Sequence, residues 1–266
     1  MVEYTRAHER IAEEHLPGTR FELADVVSKP ILLYLPDHAT EAKAVQLVVH
    51  FHGSAYVPER AAYDADHPTA VVVVNLGAGS RVYERAFDGT PAFGKLVQAA
   101  RDSLSTVGVD QSGDIVLTAF SAGYGAVRAI LREARSDIGG IVLLDGLHTD
   151  YVPDRLPLFD GGRLETTRLD PFVAFARQAV AGSKRMLITH SEIFPGTFAS
   201  TTETTDYLIG ELGLARRPVL IWGPVGMQQL SEVRSGDLLI LGFAGNSAPD
   251  HVDHFHGMPA FLNFLE

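Results

Sequence analysis

Apolar residues along this chain fall into short continuous runs that alternate with segments of helical spacing. The runs are rich in Val, Ile and Leu, and most are bounded by Gly, Pro or Asp. Uninterrupted apolar runs are typical of strands buried on both faces, as in a parallel sheet covered by helices. The pattern therefore predicts an α/β fold in which a mostly parallel central sheet has helices on both faces.

Eight strands and five helices follow from this pattern. The strands are predicted at 20–26, 30–36, 44–53, 70–76, 114–120, 138–146, 184–190 and 237–245. The helices are predicted at 91–104, 122–134, 170–182, 200–213 and 258–266. Asp170 is the expected N-cap of the third helix, and Ser200 with Glu203 has the spacing of a capping box. The stretch 222–232 is interpreted as a connection before the last strand.

The chain is predicted to form a single domain over residues 1–266. It contains no internal repeat, no low-complexity segment and no linker that would divide it. Residues 146–169 form a long connection rich in Pro, Gly and Asp. Connections of this length are usually functional or disordered, so this one is a candidate lid or loop insertion.

Charge and composition exclude several classes of function. The net charge of −11 would repel a phosphate backbone, so nucleic acid is not an expected partner. The absence of cysteine excludes disulfides, thiolate catalysis and cysteine-ligated zinc. No apolar run reaches the roughly 20 residues of a membrane span, and the charged N-terminus lacks the apolar core of a signal peptide. The cytoplasm is therefore the default expected location.

One serine lies between small residues at a predicted strand-to-helix junction. Ser121 follows the strand at 114–120, and Ala119 and Gly123 stand two positions before and after it. A nucleophile elbow holds its serine on a strained turn and needs small residues at these two positions. Ser121 is thus a candidate nucleophile, and the alternative is a serine that only caps the following helix.

A second motif suits the stabilisation of an oxyanion. His52 and Gly53 end an earlier predicted strand, 68 positions before the serine. Acyl transfer needs two hydrogen-bond donors where the carbonyl oxygen becomes negative. The expected donors are the N–H of Ala122 and the N–H of Ser54 or Ala55. The alternative is a glycine turn that simply ends the strand.

The order of these motifs, followed by an acid and a late histidine, resembles the α/β-hydrolase superfamily of serine esterases. The resemblance covers nearly the whole chain and implies the α/β-hydrolase fold. It departs from the usual G-x-S-x-G pattern at Ala119, where a small residue replaces glycine. The superfamily hosts many reactions, so the resemblance does not define the substrate.

The resemblance implies that the base lies in the loop between the last strand and the closing helix. Three histidines occur there, at 251, 254 and 256. His251 is the first candidate, His254 the second and His256 the third. The base must reach the serine with one ring nitrogen and donate to a carboxylate with the other.

Two residues are candidates for that carboxylate. Asp145 ends the strand after the elbow helix, and Glu192 follows the next strand, which is the more usual place in this superfamily. We favour Asp145, because a carboxylate at a strand end is rigid and partly buried. Alternatively, Asp145 forms a turn with Gly146 and has no catalytic role. The corresponding alternative for Glu192 is that it is a solvated loop residue.

The histidines also allow a metal-dependent alternative. Imidazoles and carboxylates are good zinc ligands, but the sequence lacks the helical H-E-x-x-H motif. The candidates are His50, His52, His148, His190 and the stretch 250–256. Alternatively, His148 and His190 line the pocket of the serine.

The preferred interpretation is a serine hydrolase that cleaves a carboxylic ester through an acyl-enzyme. It requires no cofactor and no metal, and its partner is a small-molecule or acylated substrate. The alternatives are a non-catalytic binding protein with the hydrolase fold and a histidine-rich metal-dependent hydrolase.

Overall fold

The computed structural model describes residues 7–264 of the chain. Its strands are β1 Gly18–Leu23, β2 Ile31–Pro36, β3 Ala44–Phe51, β4 Thr69–Val74, β5 Asp110–Phe120, β6 Ile138–Leu144, β7 Tyr151–Val152, β8 Arg163–Leu164, β9 Arg185–His190, β10 Arg217–Trp222, β11 Gln228–Ser235 and β12 Leu238–Phe243. Its helices are α1 Tyr56–Tyr63, α2 Ser80–Phe87, α3 Ala92–Ser105, α4 Tyr124–Arg132, α5 Asp170–Val180, α6 Thr201–Glu211, α7 Ala248–His256 and α8 Met258–Asn263.

Ten of these strands form one sheet in the order β1-β2-β4-β3-β5-β6-β9-β12-β11-β10. The six central strands, from β4 to β12, pair in parallel, whereas the two strands at each edge pair antiparallel. β5 lies near the middle of the sheet, so the residues that follow it meet the ends of β3 and β6. The predicted α/β class with a mostly parallel sheet is confirmed.

Both faces of the sheet are covered by helices. Successive side chains of a strand point to opposite faces, so Leu117 and Val116 of β5 belong to two different apolar clusters. The cluster on one face includes residues of α2 to α6, and the cluster on the other includes residues of α1, α7 and α8. Within residues 7–264 every helix is too short or too polar to cross a bilayer.

The structure corrects several element predictions. The stretch 222–232 is not a plain connection, because β10 and β11 add two antiparallel strands there. Residues 246–257 are not a loop: α7 covers Ala248–His256, and Ser247 caps it in a capping box with Asp250. Asp170 is the first residue of α5, and Leu169 occupies its N-cap position. The last two residues of the predicted closing helix, 265 and 266, lie outside the described residues.

The connection 146–169 contains its own small hairpin. β7 and β8 pair antiparallel within it. The Thr149 hydroxyl donates to the carbonyl of Glu165 at 2.7 Å, and the Glu165 amide donates to the carbonyl of Asp150 at 2.9 Å. The Ala199 amide donates to the carbonyl of Thr149 at 2.9 Å and joins the segment to the start of α6. A role as a lid stays a prediction.

A buried ion pair joins α2 to α4, the helix that follows Ser121. The Arg128 side chain is fully buried, and its Nη2 donates to Glu84 at 2.7 Å. Arg132 Nη1 donates to the second oxygen of the same carboxylate at 3.0 Å. Nε and Nη1 of Arg128 have no hydrogen-bond partner within residues 7–264, so Glu84 is its main compensation for burial.

Replacing Glu84 with alanine should destabilise the fold by about 3–5 kcal/mol, because it leaves the Arg128 cation buried without its carboxylate. The free energy of unfolding in urea measures the effect. Asp88→Ala is the matched control: Asp88 is exposed and lies 3.5 Å from Arg132. It should change stability by less than about 0.5 kcal/mol. Equal effects of the two substitutions would contradict the assignment.

Candidate active site

Ser121 lies on a tight turn between β5 and α4. Its φ of +46° is in the left-handed region, which costs a non-glycine residue about 1–3 kcal/mol. A single 3-10 turn, Ser121–Gly123, follows before α4 begins. The N-cap residues of this turn and of α4 are Phe120 and Gly123, so Ser121 is the N-cap of neither element.

Close backbone packing explains the small residues around Ser121. A Cβ atom on Gly123 would lie 2.1 Å from the carbonyl oxygen of Phe51 on the adjacent strand. A Cβ atom on Gly146 would lie 2.6 Å from the carbonyl oxygen of Ser121. Both approaches are far shorter than a carbon–oxygen contact allows, so each position requires glycine.

The carboxylate of Asp145 and the ring of His251 are in direct contact. The distance between Asp145 Oδ2 and His251 Nδ1 is 2.6 Å. Asp145 Oδ1 accepts a hydrogen bond from the Ser191 amide at 2.9 Å and from the Thr201 hydroxyl at 2.7 Å. Burial favours a higher pKa for Asp145, but the nearby His254 and His251 rings and these hydrogen bonds hold its pKa well below the usual range.

An ionised Asp145 only accepts hydrogen bonds, so His251 Nδ1 carries the proton in their contact. The neutral ring then has a free lone pair on Nε2, which is the state a general base requires. The ring also contacts Phe120, with the centroids 4.6 Å apart. The partners of His251 thus define both its tautomer and its position.

Ser121, His251 and Asp145 line one cavity of about 310 Å³. Its other lining residues are His148, Ser191, Ile193, Pro195, Phe198, Thr201, Asn246, Ser247 and Ala248. The Ser121 side chain is partly exposed and makes no hydrogen bond with residues 7–264. Hydrogen bonds between a nucleophile and its base are often loose until substrate binds.

No protein-family model matches this chain, and no curated protein matches it by sequence. Solved structures resemble it along most of its length. A thermostable esterase superposes with a TM-score of 0.52 and 15% identity over 92% of this chain and 60% of that esterase. This chain therefore spans less than two thirds of the length of that protein.

Two Staphylococcus aureus proteins match over nearly their full length. The fluorophosphonate-binding serine hydrolase F superposes with a TM-score of 0.52 and 12% identity over 94% of this chain and 99% of that chain. An S-formylglutathione hydrolase superposes with a TM-score of 0.52 and 13% identity over 97% and 99%. The chain has an α/β-hydrolase fold. At these identities the likeness is one of fold.

Only one of the three candidate histidines, His251, lines the same cavity as Ser121. His254 is buried away from the cavity, with its Nδ1 2.8 Å from the Thr189 hydroxyl. His256 Nδ1 accepts a hydrogen bond from the amide of Ile11 at 3.0 Å, in the segment before β1. Neither residue lines the cavity that contains Ser121 and His251.

The structure also separates the two candidate acids. Glu192 is exposed, and its Oε2 accepts a hydrogen bond from the Gly245 amide at 3.3 Å. His251 is paired with Asp145 instead. Here the carboxylate at the cavity follows β6, the strand adjacent to the serine strand, rather than β9.

The predicted oxyanion loop lies beside the serine turn. β3 and β5 are neighbours, and Phe51 of β3 pairs with Ala119 of β5. The His52 amide already donates to the carbonyl of Val74 at 3.0 Å, so it is not a free donor. Gly53, with a φ of +127°, follows and turns the chain toward the exposed Ser54.

The side chain of His52 has its own partners. Its Nδ1 lies 2.9 Å from the Tyr83 hydroxyl, and its ring stacks on Phe120 with centroids 5.9 Å apart. Phe120 therefore contacts the rings of both His52 and His251. This contact connects the β3 turn with the β5 turn of the hydrolase fold.

His50 and His190, two of the candidate metal ligands, form hydrogen bonds with protein groups. His50 is buried, and its two nitrogens lie 2.8 Å from the Thr118 hydroxyl and from the His52 carbonyl oxygen. His190 Nε2 accepts a hydrogen bond from Arg216 at 2.7 Å. Burial lowers the pKa of both His50 and His190 to about 3.

One group of potential metal ligands comes together within residues 7–264. It consists of His8, Asp250 and Asp253. Asp253 is already 2.8 Å from His8 Nδ1 and 3.1 Å from the Arg10 guanidinium, and Asp250 is part of the α7 capping box. The positive charge of Arg10 beside Asp253 opposes the binding of a metal ion. The group includes neither Ser121 nor any of the candidate histidines.

Sequence reasoning missed Ser191 and Thr201, the two donors to Asp145. Thr201 is the first residue of α6, which its capping box predicts, but no sequence signal directs its hydroxyl to a carboxylate 56 positions earlier. The apolar residues of the cavity, Ile193, Pro195 and Phe198, lie in the connection between β9 and α6. Such a connection has no periodic pattern to analyse.

Replacing Gly123 with alanine should destabilise the protein by about 1–3 kcal/mol, because the new methyl group meets backbone rather than a movable side chain. Gly94→Ala is the matched control, since a Cβ atom there has no heavy atom within 4 Å and Gly94 lies in α3. That change should be neutral or stabilise by up to about 1 kcal/mol. Urea unfolding compares the two, and an undiminished stability of Gly123→Ala would contradict the packing argument.

Proposed function

We propose that this protein is a serine hydrolase that cleaves a carboxylic ester through an acyl-enzyme. The observation that supports it most is the 2.6 Å contact between Asp145 and His251, at a cavity that Ser121 lines from a strained turn. The solved structures with the same fold and a TM-score of 0.52 include an esterase, a serine hydrolase and an S-formylglutathione hydrolase, which agrees with this proposal.

In the first half of the reaction Ser121 attacks the ester carbonyl carbon. His251 Nε2 takes the hydroxyl proton as the Oγ–C bond forms, and the carbonyl oxygen becomes negative. Asp145 stabilises the imidazolium that results, and its hydrogen bonds to Ser191 and Thr201 keep it ionised. The imidazolium then protonates the leaving alcohol oxygen as the C–O bond breaks.

In the second half a water molecule attacks the acyl-enzyme. His251 takes a proton from the water, and the proton then passes to Ser121 Oγ as the acid product leaves. The amides of Ala122 and of Ser54 or Ala55 are the proposed donors to the negative oxygen in both steps. Positive ends of the turn and helix after Ser121 add to this stabilisation.

The size of the cavity favours a small-molecule substrate. About 310 Å³ is at the lower end of the range of ligand pockets and accommodates a short acyl or alcohol group. The wall formed by Ile193, Pro195 and Phe198 is apolar, which suits the hydrocarbon part of such a group. The mechanism requires neither a cofactor nor a metal ion.

Incubation with a fluorophosphonate probe should label wild-type protein at Ser121 only, because labelling requires a serine that a base activates. Ser121→Ala should abolish labelling and lower kcat/KM for p-nitrophenyl butyrate by at least about 10³-fold. Ser105→Ala, an exposed serine in α3, is the control and should keep both. A binding protein would not label, and a metal-dependent hydrolase would lose activity with EDTA but not in Ser121→Ala.

Replacing Asp145 with asparagine should lower kcat/KM by about 10⁴-fold, since the amide no longer selects the His251 tautomer with a free Nε2. Glu192→Gln is the matched control, and because Glu192 is exposed its effect should stay within about twofold. Steady-state hydrolysis of p-nitrophenyl butyrate measures both variants. A large loss in Glu192→Gln with little loss in Asp145→Asn would reverse the assignment of the acid.

A further inference from the structure

A second histidine lines the cavity and takes no part in the proposed reaction. His148 follows β6, three residues beyond Asp145. Its Nδ1 lies 2.9 Å from the carbonyl oxygen of Ala199. A carbonyl oxygen only accepts hydrogen bonds, so Nδ1 carries the proton, and in the neutral ring Nε2 is a bare acceptor.

The ring of His148 is held on several sides. Its centroid lies 5.6 Å from that of Tyr124 and 5.1 Å from that of Phe198, both in edge-to-face contacts. Together with the Ala199 hydrogen bond, these contacts define the orientation of the ring. Burial lowers the pKa of His148, so the ring is neutral at pH 7.

The Nε2 atom of His148 is available to a ligand. It makes no hydrogen bond with residues 7–264, and it is not among the buried polar atoms that lack a partner. Two other polar side chains of the cavity wall have partners: the Thr201 hydroxyl donates to Asp145, and the Ser247 hydroxyl donates to Asp250. An acceptor that is held in place but unpaired favours a ligand that brings a donor.

We propose that His148 Nε2 accepts a hydrogen bond from the substrate. The residue would thereby select esters that carry a hydroxyl or N–H group near the scissile carbonyl. This inference rests on the proposed ester hydrolysis. A substrate without a donor places hydrocarbon against the lone pair and leaves it desolvated. Sites built to receive a substrate donor discriminate strongly against analogues that lack it. His148 is thus a specificity residue.

Matched pairs of esters test this inference. The acyl pair is p-nitrophenyl butyrate and p-nitrophenyl 3-hydroxybutyrate, and the alcohol pair is ethyl butyrate and 2-hydroxyethyl butyrate. In wild-type protein kcat/KM should be higher for the hydroxylated member of at least one pair, by about tenfold or more. The pair that shows the preference identifies the side of the ester that faces His148.

The ratio of kcat/KM within each pair is the readout in the variants, because it cancels effects common to both esters. His148→Phe removes the acceptor and should reduce the ratio to about that of the uncatalysed reaction. His148→Gln, which keeps an acceptor oxygen, should retain part of the preference. His15→Phe makes the same change at an exposed histidine that does not line the cavity, and it should keep the wild-type ratio.

Two results would overturn the inference. One is a wild-type protein with no preference in either pair, and the other is a preference that His148→Phe leaves intact. If Ser121-dependent hydrolysis of p-nitrophenyl butyrate persists in either case, only this inference fails. If wild-type protein hydrolyses none of the four esters, the proposed function fails together with it.

Discussion

The contact between Asp145 and His251 is the constraint on which the rest of the site depends. The two residues are 106 positions apart: Asp145 directly follows β6, and His251 lies in the first turn of α7. A buried carboxylate is tolerated only when it is paired and hydrogen-bonded. Ser191 at the end of β9 and Thr201 at the start of α6 supply those bonds. One anion therefore organises four segments of the chain around the serine.

Three of the seven non-glycine residues with positive φ within residues 7–264 lie at the C-terminal ends of neighbouring strands beside the site. His52, Ser121 and Asp145 follow β3, β5 and β6, and all three have positive φ although none is glycine. Such conformations persist only where the surrounding structure enforces them, and they cluster at functional sites. Gly123 and Gly146 lie beside these residues, and the absence of their side chains lets the backbones of Phe51 and Ser121 approach closely. The strained residues and the two glycines thus lie next to one another at the same ends of these strands.

Much of this architecture could be predicted from the sequence, because buried parallel strands and capped helices have strong local signals. β10 was harder to predict, because its apolar run at 219–222 is only four residues long, follows Pro218 and belongs to an exposed edge strand. α7 was predicted as a loop because its sequence is dominated by histidine and aspartate rather than by apolar spacing. The choice between Asp145 and Glu192 depends on which strand end faces His251, and that is a property of the sheet order rather than of either motif.

The histidines around the cavity show how the partner of an imidazole determines its chemistry. His50, His148 and His190 contact hydroxyl, carbonyl or guanidinium groups, which do not compensate for the burial of a positive ring, and burial lowers the pKa of each. His251 instead contacts the carboxylate of Asp145. The proposed mechanism requires its general base to gain and lose a proton within one catalytic cycle, and of these four rings only His251 contacts a carboxylate. The same reasoning underlies the proposed role of His148, whose Nδ1 contacts a carbonyl oxygen, as an acceptor of hydrogen bonds rather than a proton carrier.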